Sequence, residues 1–281
     1  MDKAWCVCLD NLHRWPTNPR IYVLAILTAL LQERLAISQI RAFSFAVGIK
    51  VAPWIYPHIM DSWYLSMLIL FGVVLLFCDA PFMNEGTAYL FIRSGRRAWF
   101  LGQVMYVVIA SIIYQLFIVA SGILLLIPRL TFDTDWGKVI GTFSNMTGVT
   151  DFGANVLNNR ILLLFSPIRA MLICFSLCTM VTVIFGMLVF TTNLYLPRSF
   201  GPIFGLVLAL LLPFSVNFSG KIFYYLSPGT WMLLSSVDIT NTSSLPSLSY
   251  ILITGLCTIL TLIFLAGISY RRHPIETLSA I

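Results

Sequence analysis

Few residues in this chain have the type and spacing that chemistry needs. His13, His58 and His273 lie far apart, and no HExxH or paired Cys-His set offers a metal-ligand spacing. Asp79 is a single carboxylate at the end of an apolar run. The apolar runs hold no histidine and no second aspartate, so neither a Ser-His nor a paired-Asp device for hydrolysis inside a membrane can be assembled. Cys174 and Cys178 sit four residues apart and share one helical face, but two thiols in an apolar run read as packing and not as redox chemistry. No GxxxxGK[ST] loop is present to cradle a nucleotide phosphate. The expectation is a chain that is not an enzyme, with no catalytic residue, no metal and no cofactor of its own.

Glu33 and Arg34 are the ionisable residues that interrupt an apolar run. Adjacent residues project about 100° apart on a helix, whereas Arg34, Ser38 and Arg41 fall on one face. Two readings stand. Glu33, Arg34 and Arg41 line an outer vestibule, or they reach out to lipid headgroups from the end of a span.

Composition names the solvent. Of 281 residues, 59% are hydrophobic and 10% are charged, and the mean hydropathy is +0.91. A water-soluble domain carries about a quarter charged residues, so a globule of this composition would expose large apolar patches. Several runs reach the roughly 20 apolar residues that cross a bilayer. The first twenty residues carry Asp2, Lys3, Asp10, His13, Arg14 and Arg20 and have no continuous apolar core, unlike a cleaved signal peptide. The cysteines imply no disulfide framework. The net charge of +6 is scattered around the apolar runs, which suits an anionic membrane surface and not nucleic acid.

Six spans are expected: Ile21 to Ile40 with the polar break, Trp63 to Cys78, Trp99 to Ile127, Pro167 to Thr192, Phe200 to Phe218 and Tyr250 to Tyr270. Residues 3 to 16 read either as a short helix at the membrane interface, drawn there by Trp5 and Trp15, or as a tail. Residues 41 to 62 and 128 to 166 read as external loops. A tight turn over Asn193 to Ser199 joins spans four and five. Residues 219 to 249, with Tyr224, Tyr225, Pro228 and Trp231, read as a shallow re-entrant hairpin.

Between spans two and three lies a polar island, Asp79 to Trp99, with Arg93, Arg96 and Arg97 just before the next apolar run. Basic residues are divided almost evenly between the two sides, so clustering decides orientation. The arginines of the island and the Arg271-Arg272 pair sit close to span ends, where the positive-inside rule counts them. Both termini are therefore expected in the cytoplasm.

The phrases Gly48-Ile-Lys-Val-Ala-Pro-Trp-Ile-Tyr-Pro57, Cys78-Asp-Ala-Pro-Phe82, Ile92-Arg-Ser-Gly-Arg-Arg-Ala-Trp99, Asp135-Trp-Gly-Lys-Val-Ile140 and Tyr225-Leu-Ser-Pro-Gly-Thr-Trp231 occur in that order along nearly the whole chain. In this layout the chain resembles bacterial permease subunits of ATP-binding-cassette (ABC) transporters, of the type-2 exporter class. The resemblance implies an all-α polytopic membrane protein, a single transmembrane permease domain over residues 1–281. It would have six transmembrane helices, an N-terminal interfacial elbow helix, a cytoplasmic coupling segment and a re-entrant external hairpin before span six. It further implies a bacterial plasma-membrane location, pairing with a second permease as homodimer or heterodimer, and separate ABC ATPase subunits that hold the ATP. Carried onto this chain, Glu85, Arg93, Arg96 and Arg97 would contact the ATPase. Anchoring of those arginines to anionic lipid is the competing role. The rival functions are a gradient-driven carrier and a ligand-sensing or immunity component that moves nothing.

Overall fold

The computed structural model describes residues 2–82, 94–145, 157–197, 199–218, 220–239 and 244–272. Its helices in chain order are α1 (Asp2–His13), α2 (Pro19–Val47), α3 (Tyr56–Asp61), α4 (Trp63–Phe77), α5 (Arg96–Leu125), α6 (Gly137–Asn145), α7 (Asn159–Leu164), α8 (Pro167–Tyr195), α9 (Phe200–Asn217), α10 (Ile222–Leu226) and α11 (Leu248–Arg272). Strand pairing among the described residues is confined to two isolated bridges, Val51 with Leu130 and Asp238 with Ser247. Five helices, α2, α5, α8, α9 and α11, are long and apolar enough to cross a membrane. Helix α4 has 15 residues and rises only about 22 Å, short of the roughly 30 Å of a hydrocarbon core.

Helix α8 is the centre. It packs against α4, α5, α9 and α11, and 61% of its apolar stretch is buried, against 17% for α11 at the periphery. Helix α5 is the second axis, and five of its polar side chains, Gln103, Tyr106, Tyr114, Gln115 and Ser121, meet a partner on another element. Gln103 accepts from Asn11 Nδ2 at 3.0 Å, Tyr106 from Trp15 Nε1 at 2.9 Å, and Ser121 from Gln32 Nε2 at 2.7 Å. The hydroxyls of Tyr114 and Thr28 lie 3.1 Å apart, and Gln115 bridges Tyr56 and Thr182. Polar side chains in an apolar surround are costly unless bonded, so these contacts fix how α1, α2, α3 and α8 sit on α5.

Helix α2 runs unbroken through the polar interruption. Asn18 caps it, accepting from the Arg20 N–H at 3.1 Å, and Pro19 occupies the first turn, where its missing N–H costs nothing. Glu33–Ile37 forms a π turn in which the Ser38 N–H reaches the Glu33 carbonyl. That turn inserts one residue and rotates everything beyond it by about 100°.

Two expected loops prove to be folded. Residues 41–47 continue α2, residues 48–50 are exposed, and most of 51–62 is buried: Val51, Ala52, Ile59 and Met60 are fully enclosed. Residues 128–166 carry α6 and α7, with Val139, Ile140 and Phe143 in the core; residues 146–156 lie outside the described set. The expected turn at Asn193 starts later, because α8 extends to Tyr195. Residues 222–236 form α10 and two 3-10 turns, and Pro228 to Leu234 are buried against α8 and α9. These segments make a cap over one end of the bundle. It is pinned by indole bonds from Trp54 to the Asp133 carbonyl at 2.8 Å and from Trp136 to the Phe165 carbonyl at 3.0 Å.

His58 is fully enclosed in this cap, edge-on to Trp136 at 5.1 Å, and neither ring nitrogen has a hydrogen-bond partner among the described residues. Burial holds its pKa down to about 3. The unfolded chain therefore takes up the proton first as pH falls. Stability contributed by neutral His58 is complete above about 6.5 and is lost below it, at about 1.4 kcal/mol per pH unit, until about pH 3. Thermal unfolding in detergent should shift downward between about pH 7 and about pH 5, and His58→Leu should flatten that decline. An equally steep decline in the variant would contradict this assignment.

Candidate coupling site

The site grows from the end of α4. After Phe77 the chain turns through Cys78, Asp79, Ala80 and Pro81, with Ala80 fully buried. At Phe82 the backbone takes φ +54°, a left-handed value that costs an L-residue about 1–2 kcal/mol. Two contacts hold it there. The Phe82 N–H donates to the Asp79 carbonyl at 2.8 Å, and the ring stands edge-on to Tyr106 at 4.7 Å.

Asn193, near the end of α8 and 3% exposed, anchors this turn. Its Nδ2 donates to the Ala80 carbonyl at 2.8 Å, and its Oδ1 accepts the Gly201 N–H at 2.8 Å. One amide thus joins the end of α4, the end of α8 and the first turn of α9. A side chain at position 201 would place its Cβ 2.2 Å from Asn193 Oδ1, so glycine is required there. Ser269 donates to the Leu194 carbonyl at 3.1 Å and Tyr195 to the Leu265 carbonyl at 2.8 Å, which brings α11 into the same junction. On the outside, Arg20 of α2 pairs with Asp79 and reaches Cys78 Sγ at 3.2 Å. That ion pair is about half exposed and holds α2 only weakly.

The chain then leaves the described residues, and Glu85 and Arg93 lie in that gap. It returns at Ser94 and enters α5 through Gly95 at φ +82°, a conformation cheap for glycine. Arg96 and Arg97 form the first turn of α5. Both are exposed, and neither makes an ion pair among the described residues. The macrodipole places partial positive charge at a helix N-terminus, so two cations there weaken the helix. Their position points to a function outside the fold. Beside them lies α1, whose Val7 packs so closely on Gly102 that a Cβ at 102 would meet Val7 Cβ at 2.6 Å.

The other expected residues lie along α2. Glu33 pairs with Arg41, and Arg41 also donates to the Leu125 carbonyl at 3.1 Å. The inserted residue of the π turn explains the pairing: eight positions in sequence become two ordinary turns, which puts Glu33 and Arg41 on one face. Arg34 is exposed and takes no part in that pair. Arg41 is thus tied to Glu33 and is not part of the expected Arg34-Ser38-Arg41 stripe.

Arg20 and Asn193 were not singled out from the sequence. The only available signal was an amide near the end of an apolar run, eight residues before a Gly-Pro pair. No family model, curated protein or solved structure matches this chain. Its geometry is therefore read on its own terms.

Asn193→Ala removes two buried bonds and leaves the Ala80 carbonyl unpaired, a loss of about 1–3 kcal/mol. Arg20→Ala removes a half-exposed pair and should cost under about 1 kcal/mol. Thermal unfolding of the two variants in detergent checks the contrast, and equal destabilisation would count against Asn193 as the anchor.

Proposed function

We propose that this chain is the permease subunit of an ATP-driven exporter of the type-2 ABC class. The single observation that carries the reading is the exposed Arg96-Arg97 pair, set where it weakens its own helix and mounted on a junction that ties α4, α8, α9 and α11 into one body. A soluble partner bearing on that surface would move several helices together, as rigid-body transmission requires. In this reading α4 counts as the second of six spans, with its 15 residues lengthened by the α3 cap and the turn after Phe77. Helix α1 is the elbow at the cytoplasmic interface, residues 219–249 are the external hairpin, and both termini face the cytoplasm of a bacterial cell.

The chain has no phosphate loop, so ATP is bound and hydrolysed on separate ABC ATPase subunits, and two permeases, identical or different, form the path between them. The segment from Pro81 to Arg97 couples the two, with Glu85, Arg93, Arg96 and Arg97 as its contacts. The arginines also fix orientation and meet anionic lipid. A second reading, a ligand-sensing component without transport, is favoured by one observation: a cleft of about 800 Å³ at the opposite end of α4.

Purification of the full chain from native membrane, wild type beside Arg96→Ala/Arg97→Ala, tests the proposal. The double variant must first be shown to insert with wild-type orientation. The expected outcome is an ATPase that accompanies the wild type and is reduced about tenfold or more with the variant, the equivalent of about 1.4 kcal/mol of binding. Recovery of no ATPase by either, under conditions that preserve weak complexes, would overturn it.

A further inference from the structure

The cap end holds a site of its own. A cleft of about 800 Å³ opens between the start of α4, the start of α7 and the 3-10 turns after α10. That volume lies within the range of small-molecule sites, about 300–1,000 Å³. Asp61 and Arg160 both line it, and so do Trp63, Tyr64, Tyr224 and Leu233.

The two charges are fixed differently. Asp61 Oδ1 accepts the Ser235 N–H at 2.7 Å, and Oδ2 accepts from Asn158 Nδ2 at 2.9 Å. Asn158 is itself held as the cap of α7, accepting the Arg160 N–H at 3.0 Å. The carboxylate therefore cannot swing away, and both of its partners are N–H donors, which suit the ionised form. Burial raises the Asp61 carboxyl above its ordinary value, and the Ser235 and Asn158 bonds together with the Arg160 charge offset only part of that rise. Each oxygen keeps one acceptor position unused by these bonds.

Arg160 is half-buried, and its guanidinium makes no hydrogen bond or ion pair among the described residues. It faces the same cleft as Asp61 without closing onto it. An anion and a cation that line one cleft without forming an ion pair are the complement of a zwitterion, and the aromatic and aliphatic side chains among the lining suit an apolar chain. A purely anionic ligand would meet Asp61 and a purely cationic one Arg160, each with a like charge nearby.

We propose that this cleft binds a zwitterionic amphiphile, its phosphate or carboxylate on the Arg160 guanidinium, its ammonium beside Asp61 and its apolar chain along Tyr64, Tyr224 and Leu233. The guanidinium offers a planar fork that matches such an oxyanion in two parallel bonds. This assignment does not depend on the exporter reading: the same site serves a transporter as a capture point and a sensor as its receptor.

The test uses the purified full chain in a neutral maltoside detergent and a fluorescent single-chain phosphocholine lipid, titrated below its micelle concentration. Saturable binding at one probe per chain is expected, with at least about tenfold weaker binding to Arg160→Gln, a change that breaks no hydrogen bond or ion pair of the guanidinium among the described residues. Arg160→Lys should recover part of the loss, because it restores the charge without the fork. A neutral alkyl maltoside of equal chain length should compete poorly. Two further arms identify the source of the amphiphile, in nanodiscs of anionic lipid alone: the probe is added from water in one, and phosphatidylethanolamine is built into the bilayer in the other. Occupancy that depends on Arg160 in either arm supports the site and names its source. Binding that is unchanged in Arg160→Gln and displaced equally by the neutral competitor would overturn the proposal, since it would be partitioning into an apolar groove alone.

Discussion

The hydrogen-bonded bridge at Gln115 is the contact on which the rest of the arrangement depends. Tyr56 donates to Gln115 Oε1 at 2.9 Å, Gln115 Nε2 donates to Thr182 Oγ1 at 2.8 Å, and Thr182 donates to the Cys178 carbonyl at 2.7 Å. An unpaired amide in an apolar surround costs several kcal/mol, so the amide specifies which face of α5 meets α8. Tyr56 belongs to the cap, so the same chain of bonds sets the height of the cap over the bundle. Individual interhelical bonds of this kind contribute about 0.6–2 kcal/mol. Their greater effect is to exclude alternative packings.

With α5 and α8 locked together, the two ends of α4 acquire different roles. At one end Asn193 gathers the backbones of Ala80 and Gly201, and exposed arginines stand beside the junction. At the other, Asp61 gathers Ser235 and Asn158 around an open cleft. Each anchor is one buried or half-buried polar side chain that ties together two elements distant in sequence. A displacement at the arginine junction would reach the cleft through α4 and α8 without passing through a flexible segment. That continuity is a mechanical argument for coupling and is consistent with the proposed exporter.

Much of this was legible in the sequence, for reasons particular to each part. The apolar runs from Trp99, Pro167, Phe200 and Tyr250 became helices within a few residues of the expected ends, because a long uncharged run has few other ways to satisfy its backbone. The break at Gln32-Glu33-Arg34 obscured α2, since Gln32's partner Ser121 lies 89 residues away and Glu33 shares a face with its partner Arg41 only because of the π turn. Pro53 and Pro57 suggested a solvated loop, yet Pro57 falls in the first turn of α3, where proline is welcome. Arg96 and Arg97 were visible as a cluster, and the structure added their position at a helix N-terminus. Asp61 and Arg160 gave no local signal and Asn193 only a faint one, because their roles arise only when remote elements meet.

The central claim is that the arginine junction faces the cytosol and the cap faces outward. It is tested most directly by labelling introduced cysteines with a membrane-impermeant maleimide, in a chain whose accessible Cys6, Cys78 and Cys257 are replaced by alanine. Cysteine would be placed at Arg97 in one variant and at exposed Phe132 in the other. The account predicts that position 132 is labelled in intact cells and that position 97 is labelled only after the membrane is opened. Labelling of position 97 from outside intact cells would contradict it, because no ATP-driven partner could then reach the junction.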